Sequence, residues 1–146
     1  MDGLPRIPVF RRTRCVKERD VDLLRHVNNV AWVRFVVELA EAHATALGLD
    51  FQTMQSLGGI WIVRRHDVLY HANVALGAEI QESTWVTSMR AALSRRHARF
   101  EDASGGLLVE SATDWAYVDA TSLRPRRVSP NVLDRFDLVE TPGAPG

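Results

Sequence analysis

The stretch RDVDLLRHVNN, Arg19 to Asn29, brings two aspartates, a histidine and two asparagines into one short polar segment. A carboxylate can draw a proton from water as a general base or attack a carbonyl carbon itself, and Asp20 and Asp22 are the local candidates. Two residues apart, they share a face of an extended segment, so spacing does not choose between them. His26 is close enough in sequence to orient a substrate or relay a proton. Asn28 and Asn29 stand just before a long apolar run, where an asparagine caps a helix. A helix starting there turns unpaired backbone N–H groups and the positive end of its dipole toward the loop. The N–H of Asn28, Asn29 or Val30 would then hold the oxyanion formed when an ester or thioester carbonyl is attacked. On spacing alone, capping and loop structure are the commoner roles for such residues.

The elements that must position these groups are visible in the periodicity. From Val30 to Leu47, VAWVRFVVELAEAHATAL carries its polar residues Arg34, Glu38, Glu41 and Thr45 at helical spacing, in a narrow stripe. A helix apolar over most of its circumference is surrounded by protein, and Gly48 suits the position just past its end. The pattern then changes to segments rich in β-branched and aromatic residues, IWIVRRHDVLYH, EIQESTWVTSM, LSRRHARFE and LLVESATDWAYVD. Turn signals stand at Gly58-Gly59, at Ala75 to Ala78 around Gly77, and at Ser104-Gly105-Gly106. VFRRTRCVK, ahead of the loop, adds one more strand. The order predicts an α+β fold with a long helix against a mainly antiparallel sheet. Open sheet edges would be covered by edge-to-edge pairing in a homodimer. Pro5, Pro8 and the ending TPGAPG predict frayed termini over residues 1–8 and 140–146, around one domain spanning 9–139.

Composition limits the partners. At 146 residues, with 46% hydrophobic and 25% charged residues, the chain has the profile of a globular domain and not of a disordered, collagen-like or membrane-inserted one. Lys+Arg and Asp+Glu both number 18, so no global field would recruit nucleic acid or an anionic membrane. Cys15 is the only cysteine, expected small and at least half-buried in its strand, and the beginning of the chain lacks the apolar core of a signal peptide. Both features point to the cytoplasm. His43, His66, His71 and His97 lack compact ligand spacing, so no metal site is expected.

At DVDLLRHVNNVAW, followed by Arg34, Phe35 and an acidic residue in the helix, the chain resembles the hotdog-fold thioesterases of the 4-hydroxybenzoyl-CoA thioesterase type. Plant acyl-ACP thioesterases share the HVNNV run. GLDF, IVRRHDVLYHANVALGAEI and VDATSLRPRRVSP extend the resemblance over nearly the whole domain. It implies a helix wrapped by a curved sheet, and a side-by-side homodimer, or a homotetramer of such dimers, with active sites at the interface. It also implies hydrolysis of acyl thioesters of coenzyme A or acyl carrier protein. No cofactor is implied beyond the coenzyme A or phosphopantetheine of the substrate.

Carried over by position, the resemblance selects Asp22 over Asp20 as the catalytic aspartate. It puts the carbonyl-polarising amide near Asn29, beside Asn28, and the histidine of many members on His26. Two positions depart from the pattern. Arg25 stands where many members have glycine and would bring a positive charge to the pocket mouth, and Leu24 stands where the plant enzymes have asparagine, which favours an aspartate-centred mechanism. Arg90 falls where members place basic residues that meet the phosphates of coenzyme A. Arg95, Arg96 and Arg99, with Arg124, Arg126 and Arg127, widen the set of candidate phosphate ligands.

Trp32 and Phe35, one turn into the helix, are the candidates to line an acyl pocket. Another hotdog subgroup uses a helix carboxylate as catalyst, but Glu38 follows Arg34 by four residues and reads as its ion-pair partner. Two other functions fit the same residues: an acyl-thioester hydratase or dehydratase, matched by Asp22 with His26 at a different spacing, and a non-catalytic acyl-carrier-binding module.

Overall fold

The computed structural model describes residues 3–141. In chain order it has β1 (Val9–Cys15), α1 (Asn29–Ala46), α2 (Phe51–Ser56), β2 (Gly59–Tyr70), β3 (Glu79–Arg90), β4 (Leu93–Asp102), β5 (Leu107–Asp119) and α3 (Pro130–Leu133). The strands form one five-stranded sheet in the order β1-β3-β4-β5-β2, and every neighbouring pair is antiparallel. This is the α+β hotdog arrangement, with β1 and β2 at the edges.

Alternation decides which strand residues meet the helix. Along β4, Ser94, Arg96, Ala98 and Phe100 are buried while Leu93 and Arg95 are exposed, the period of two expected where one sheet face is covered. The inward apolar residues Ile80, Ala98, Phe100, Leu108 and Val109 pack against Ala31, Trp32, Phe35, Val36 and Leu39 of α1. Full burial of each large side chain contributes about 1.5–3 kcal/mol. A second cluster, including Leu47, Leu49, Met54, Tyr117, Val132 and Phe136, closes the far end of the helix. Helix α1 stops at Gly48, whose φ of 84° is open to glycine without the Cβ penalty.

The sheet packs against α1 as expected, but the helix is not buried all round. Val30 is 71% exposed, and Val33 and Val37 are only half-buried. One sheet covers one side of a helix, and the opposite apolar side of α1 has no full cover among the described residues. Helices α2 and α3 were not expected from the periodicity. GLDF starts α2 because Asp50 Oδ1 accepts from the Thr53 N–H at 2.8 Å, which makes the segment a cap.

Part of the amino-terminal segment is also held more firmly than its prolines suggested. The Pro5 carbonyl accepts from Arg135 Nη2 at 2.6 Å, the Ile7 carbonyl bonds His43 Nε2 at 2.7 Å, and Arg6 pairs with Asp137. Buried donors find their acceptors in this extended backbone. Of the two termini expected to fray, residues 1–2 and 142–146 lie outside the described residues. Cys15, expected half-buried or better, is exposed. Among the described residues no helix is long and apolar enough to cross a membrane.

Candidate active site

The loop ahead of α1 folds back on itself. Val21 and Val27 form an isolated antiparallel bridge. The Asp22 N–H donates to the His26 carbonyl at 3.0 Å, and the Asn28 N–H to the Asp20 carbonyl at 2.9 Å. Asp22 therefore stands across from His26, close to the helix cap in the chain. At the tip, Asp22 Oδ1 accepts from the Leu24 N–H at 2.9 Å and from the His26 N–H at 3.4 Å. Such a turn holds the carboxylate by one oxygen, and Oδ2 meets no protein donor among the described residues. Asp22 and His26 are both exposed.

Arg25 has a φ of 64°, the left-handed region that costs a side chain about 1–2 kcal/mol and suits glycine. Its guanidinium turns to Glu18 Oε1 at 2.9 Å. The charge expected at the pocket mouth is thus already paired.

The start of α1 leaves one donor over. Asn28 Oδ1 accepts from the N–H groups of Val30 at 2.8 Å and Ala31 at 3.3 Å, and the Trp32 N–H goes to the Asn28 carbonyl at 3.3 Å. Of the four donors that a helix start exposes, only the Asn29 N–H has no protein acceptor among the described residues. Asn28 is spent on the cap, and Val30, one of the three amides considered from the sequence, is consumed by it. The Tyr70 hydroxyl, at the end of β2, donates to the Asn29 carbonyl at 3.2 Å. Asn73 Nδ2 donates to the Val27 carbonyl at 2.8 Å.

Asp20 belongs to the scaffold. It is 2% exposed, bonded by the Lys17 N–H at 2.9 Å and by Arg34 Nη2 at 2.5 Å. Burial would raise its pKa, but the Arg34 and Lys17 hydrogen bonds and the charges of Arg34 and Arg19 outweigh it and hold the carboxyl below the usual range. From Arg34 an ionic chain runs across the core. Glu38 takes Arg34 at 3.5 Å and Arg14 at 2.9 Å, and Arg14, with Arg12, holds the fully buried Glu82 at 2.9 Å. The Arg34–Glu38 pair was expected as a helix-surface contact; Arg14 draws it into a network joining β3, β1, α1 and the loop.

At the opposite end of α1 lies a cavity of about 490 Å³, bordered by Val37, Ala44, Met54, Trp61, Arg96 and Trp115 among others. Trp32 and Phe35, expected to line an acyl pocket, do not border it. They are 1% and 0% exposed, and the Phe35 ring is covered by the guanidinium of Arg14 at 4.1 Å. Helical phase turns their side of α1 to the sheet. Arg96, one of the expected phosphate ligands, faces inward, because β4 alternates, and is 6% exposed. Arg95 faces outward and pairs with Asp114 at 2.9 Å. Arg90 is exposed at the end of β3 and has no ion pair among the described residues.

A family profile for the acyl-ACP thioesterase N-terminal domain matches residues 8–136. The chain belongs to this family. The sequence matches no functionally curated protein. A provisionally assigned oleoyl thioesterase from Lactobacillus plantarum superposes with a TM-score of 0.84 at 16% identity, over 90% of this chain and 52% of its own. A 12:0-ACP thioesterase from Umbellularia californica gives 0.75 at 20% identity, over 88% and 51%. A 1,4-dihydroxy-2-naphthoyl-CoA thioesterase from Synechocystis gives 0.78 at 16%, over 86% and 93%. The chain thus spans about half the length of the first two and nearly all of the third.

Within this domain the loop pairs Asp22 with His26 and leads into the helix start at Asn28 and Asn29, whereas Arg90, Arg95 and Arg96 do not converge on one surface. Sequence reasoning missed Tyr70, Asn73, Arg14 and Glu82 as supports of the site. Only the glutamate left a signal, a charge in phase with the inward residues Ile80 and Thr84 of its strand.

Proposed function

We propose that the chain is an acyl thioesterase acting on an acyl-CoA or an acyl-ACP, with water as acceptor. Asp22 removes a proton from water that attacks the thioester carbonyl, or attacks that carbon itself, in which case water afterwards hydrolyses the acyl–aspartyl anhydride to the free acid and restores the carboxylate. The oxygen of the carbonyl, now negative, is held by the N–H of Asn29; the C–S bond then breaks, and the thiolate leaves and is protonated. His26, across the turn from Asp22, positions the substrate or passes the proton. The observation that carries this reading is the Asn29 N–H, the one donor of the first turn without a protein acceptor among the described residues, at the end of the loop that holds the exposed Asp22 carboxylate. A single oxyanion donor of this kind contributes about 10²–10³ in rate.

The site works as part of a homodimer paired along β2. This edge strand runs over 12 residues, with Ile62, Val63, Leu69 and Tyr70 all exposed. Val30, Leu23 and Leu24 add apolar surface next to the loop. A long apolar edge of this kind is a pairing surface, and a second copy would cover the open side of α1. A reducing cytoplasm, where coenzyme A and acyl carrier protein occur, fits an exposed, unpaired Cys15.

The test is release of free thiol from a panel of short, long and aromatic acyl-CoAs and an acyl-ACP. We expect turnover of at least one class, and a loss of a hundredfold or more in kcat/KM for Asp22→Asn without a change in thermal stability. A folded Asp22→Asn protein hydrolysing as fast as the native chain would remove Asp22 from the mechanism.

A further inference from the structure

Arg96 lacks the partner that a buried charge requires. Its Nη1 donates to Thr84 Oγ1 at 3.1 Å and to His43 Nδ1 at 2.9 Å. The other ring nitrogen of His43 donates to the Ile7 carbonyl at 2.7 Å, so the imidazole meeting Arg96 is a neutral acceptor and no counter-charge. No carboxylate of the described residues comes within 4.0 Å of Arg96, and the Phe136 ring stands 6.0 Å from its Cζ.

Among the other buried cations, Arg14 has the counter-charges of Glu82 and Glu38, though its Nη2 finds no acceptor, and Arg135, also without an ion pair among the described residues, spends Nε and Nη2 on the carbonyls of Leu47 and Pro5. An isolated buried guanidinium is costly. Arg96 Nε and Nη2 donate to no protein acceptor among the described residues, and neither is sealed off.

What Arg96 borders is the 490 Å³ cavity, whose walls are otherwise mainly apolar, a size suited to a small organic ligand. The only carboxylate on its border, Glu41, is exposed and forms no ion pair with Arg96. Val30, Val33 and Val37 make an apolar stripe along α1, at spacings of three and four residues, from Asn29 to the cavity. His43, which Arg96 touches, lies about 21 Å beyond Asn29 along the helix axis at 1.5 Å per residue.

We propose that this cavity binds a long apolar chain carrying a carboxylate, with Arg96 as its counter-ion. Two sources supply that chemistry. One is the thioester of a long dicarboxylic acid, its carbonyl at Asn29 and its distal carboxylate on Arg96; this case rests on the thioesterase reading. The other is a free long-chain carboxylic acid entering carboxylate first, which does not.

Trp61 and Trp115 border the cavity, so binding to the full chain is read by intrinsic fluorescence, with dodecanoate and dodecanol as probes. Dodecanoate binds about tenfold or more tightly than dodecanol, the value of a hydrogen-bonded charge. Arg96→Gln removes that preference, and Glu41→Gln, an exposed change that leaves the fold intact, tightens dodecanoate binding severalfold. Ala44→Trp, which fills the cavity from α1, abolishes binding of both probes. Equal binding of acid and alcohol, no binding of either, or a preference that survives Arg96→Gln would overturn the proposal.

Comparing KM for hexadecanedioyl-CoA and palmitoyl-CoA then separates the sources. A lower KM for the first identifies the dicarboxylic thioester, and equal values identify the free acid. Arg96-dependent acid binding without hydrolysis of any thioester sinks the thioesterase reading alone, whereas hydrolysis without acid preference sinks this proposal alone.

Discussion

Asp20 and Asp22 show what a residue's surroundings add to its type. In sequence they are equivalent carboxylates on one face of a segment, and only the resemblance separated them. In the fold, Asp20 is sealed under Arg34 while Asp22 stays exposed in its turn. Arg25 makes the same point: its left-handed backbone explains a glycine preference that the residue itself disguises. His43 carries a residue-scale prediction. Burial first, and the charge of Arg96 second, push its pKa from 6.5 down to about 4. The unfolded chain then binds more protons than the native one in that interval, so this part of the stability is complete above about pH 6.5 and is lost as pH falls toward 4. The loss is roughly 3 kcal/mol, read from urea unfolding at pH 7 and pH 4. Burial lowers His66 and His97 in the same direction. Stability independent of pH over this interval would mean that His43 is not held neutral.

The start of α1 and the succession of strands were legible because apolar periodicity and turn glycines are local. Asn28 caps the helix as its type suggests, and the cap uses up the donors of Val30 and Ala31, which leaves the Asn29 N–H for the oxyanion role proposed for it. Less local features were not legible. Strand phase, which turns Arg95 to solvent and Arg96 to the cavity, depends on burial that a pair of adjacent arginines does not reveal. The β3–β4 turn uses Ala91 at a φ of 55° with no glycine to signal it, and α2 and α3 are too short for a period to emerge. The ionic chain from Glu82 to Asp20 joins four elements and has no sequence signature. Its most deeply buried acid offers a strong test: Glu82→Gln leaves Arg12 and Arg14 without their shared partner and is expected to cost about 3–5 kcal/mol, measured by denaturant unfolding. A change below about 1 kcal/mol would show that β1 and α1 are fixed by apolar packing alone.

At the scale of the whole molecule, the described residues of one chain supply the loop and the helix end but leave the apolar side of α1 and the β2 edge open. The expected assembly has twice the 16.4 kDa of the chain in sedimentation, and thiol release per chain falls on dilution as the dimer dissociates. Full activity in a monomer would separate function from the β2 edge. The central claim, however, concerns a single hydrogen atom. Asn29 is the first residue of α1, a position where proline is favoured, and Asn28 before it has φ −75° and ψ 149°, an extended conformation compatible with a following proline. Asn29→Pro therefore deletes the N–H assigned to the oxyanion while the helix keeps its start. We predict thermal stability close to that of the native chain and a fall of about 10²–10³ in kcat for thioester hydrolysis. Native kcat in a folded Asn29→Pro protein would contradict the account.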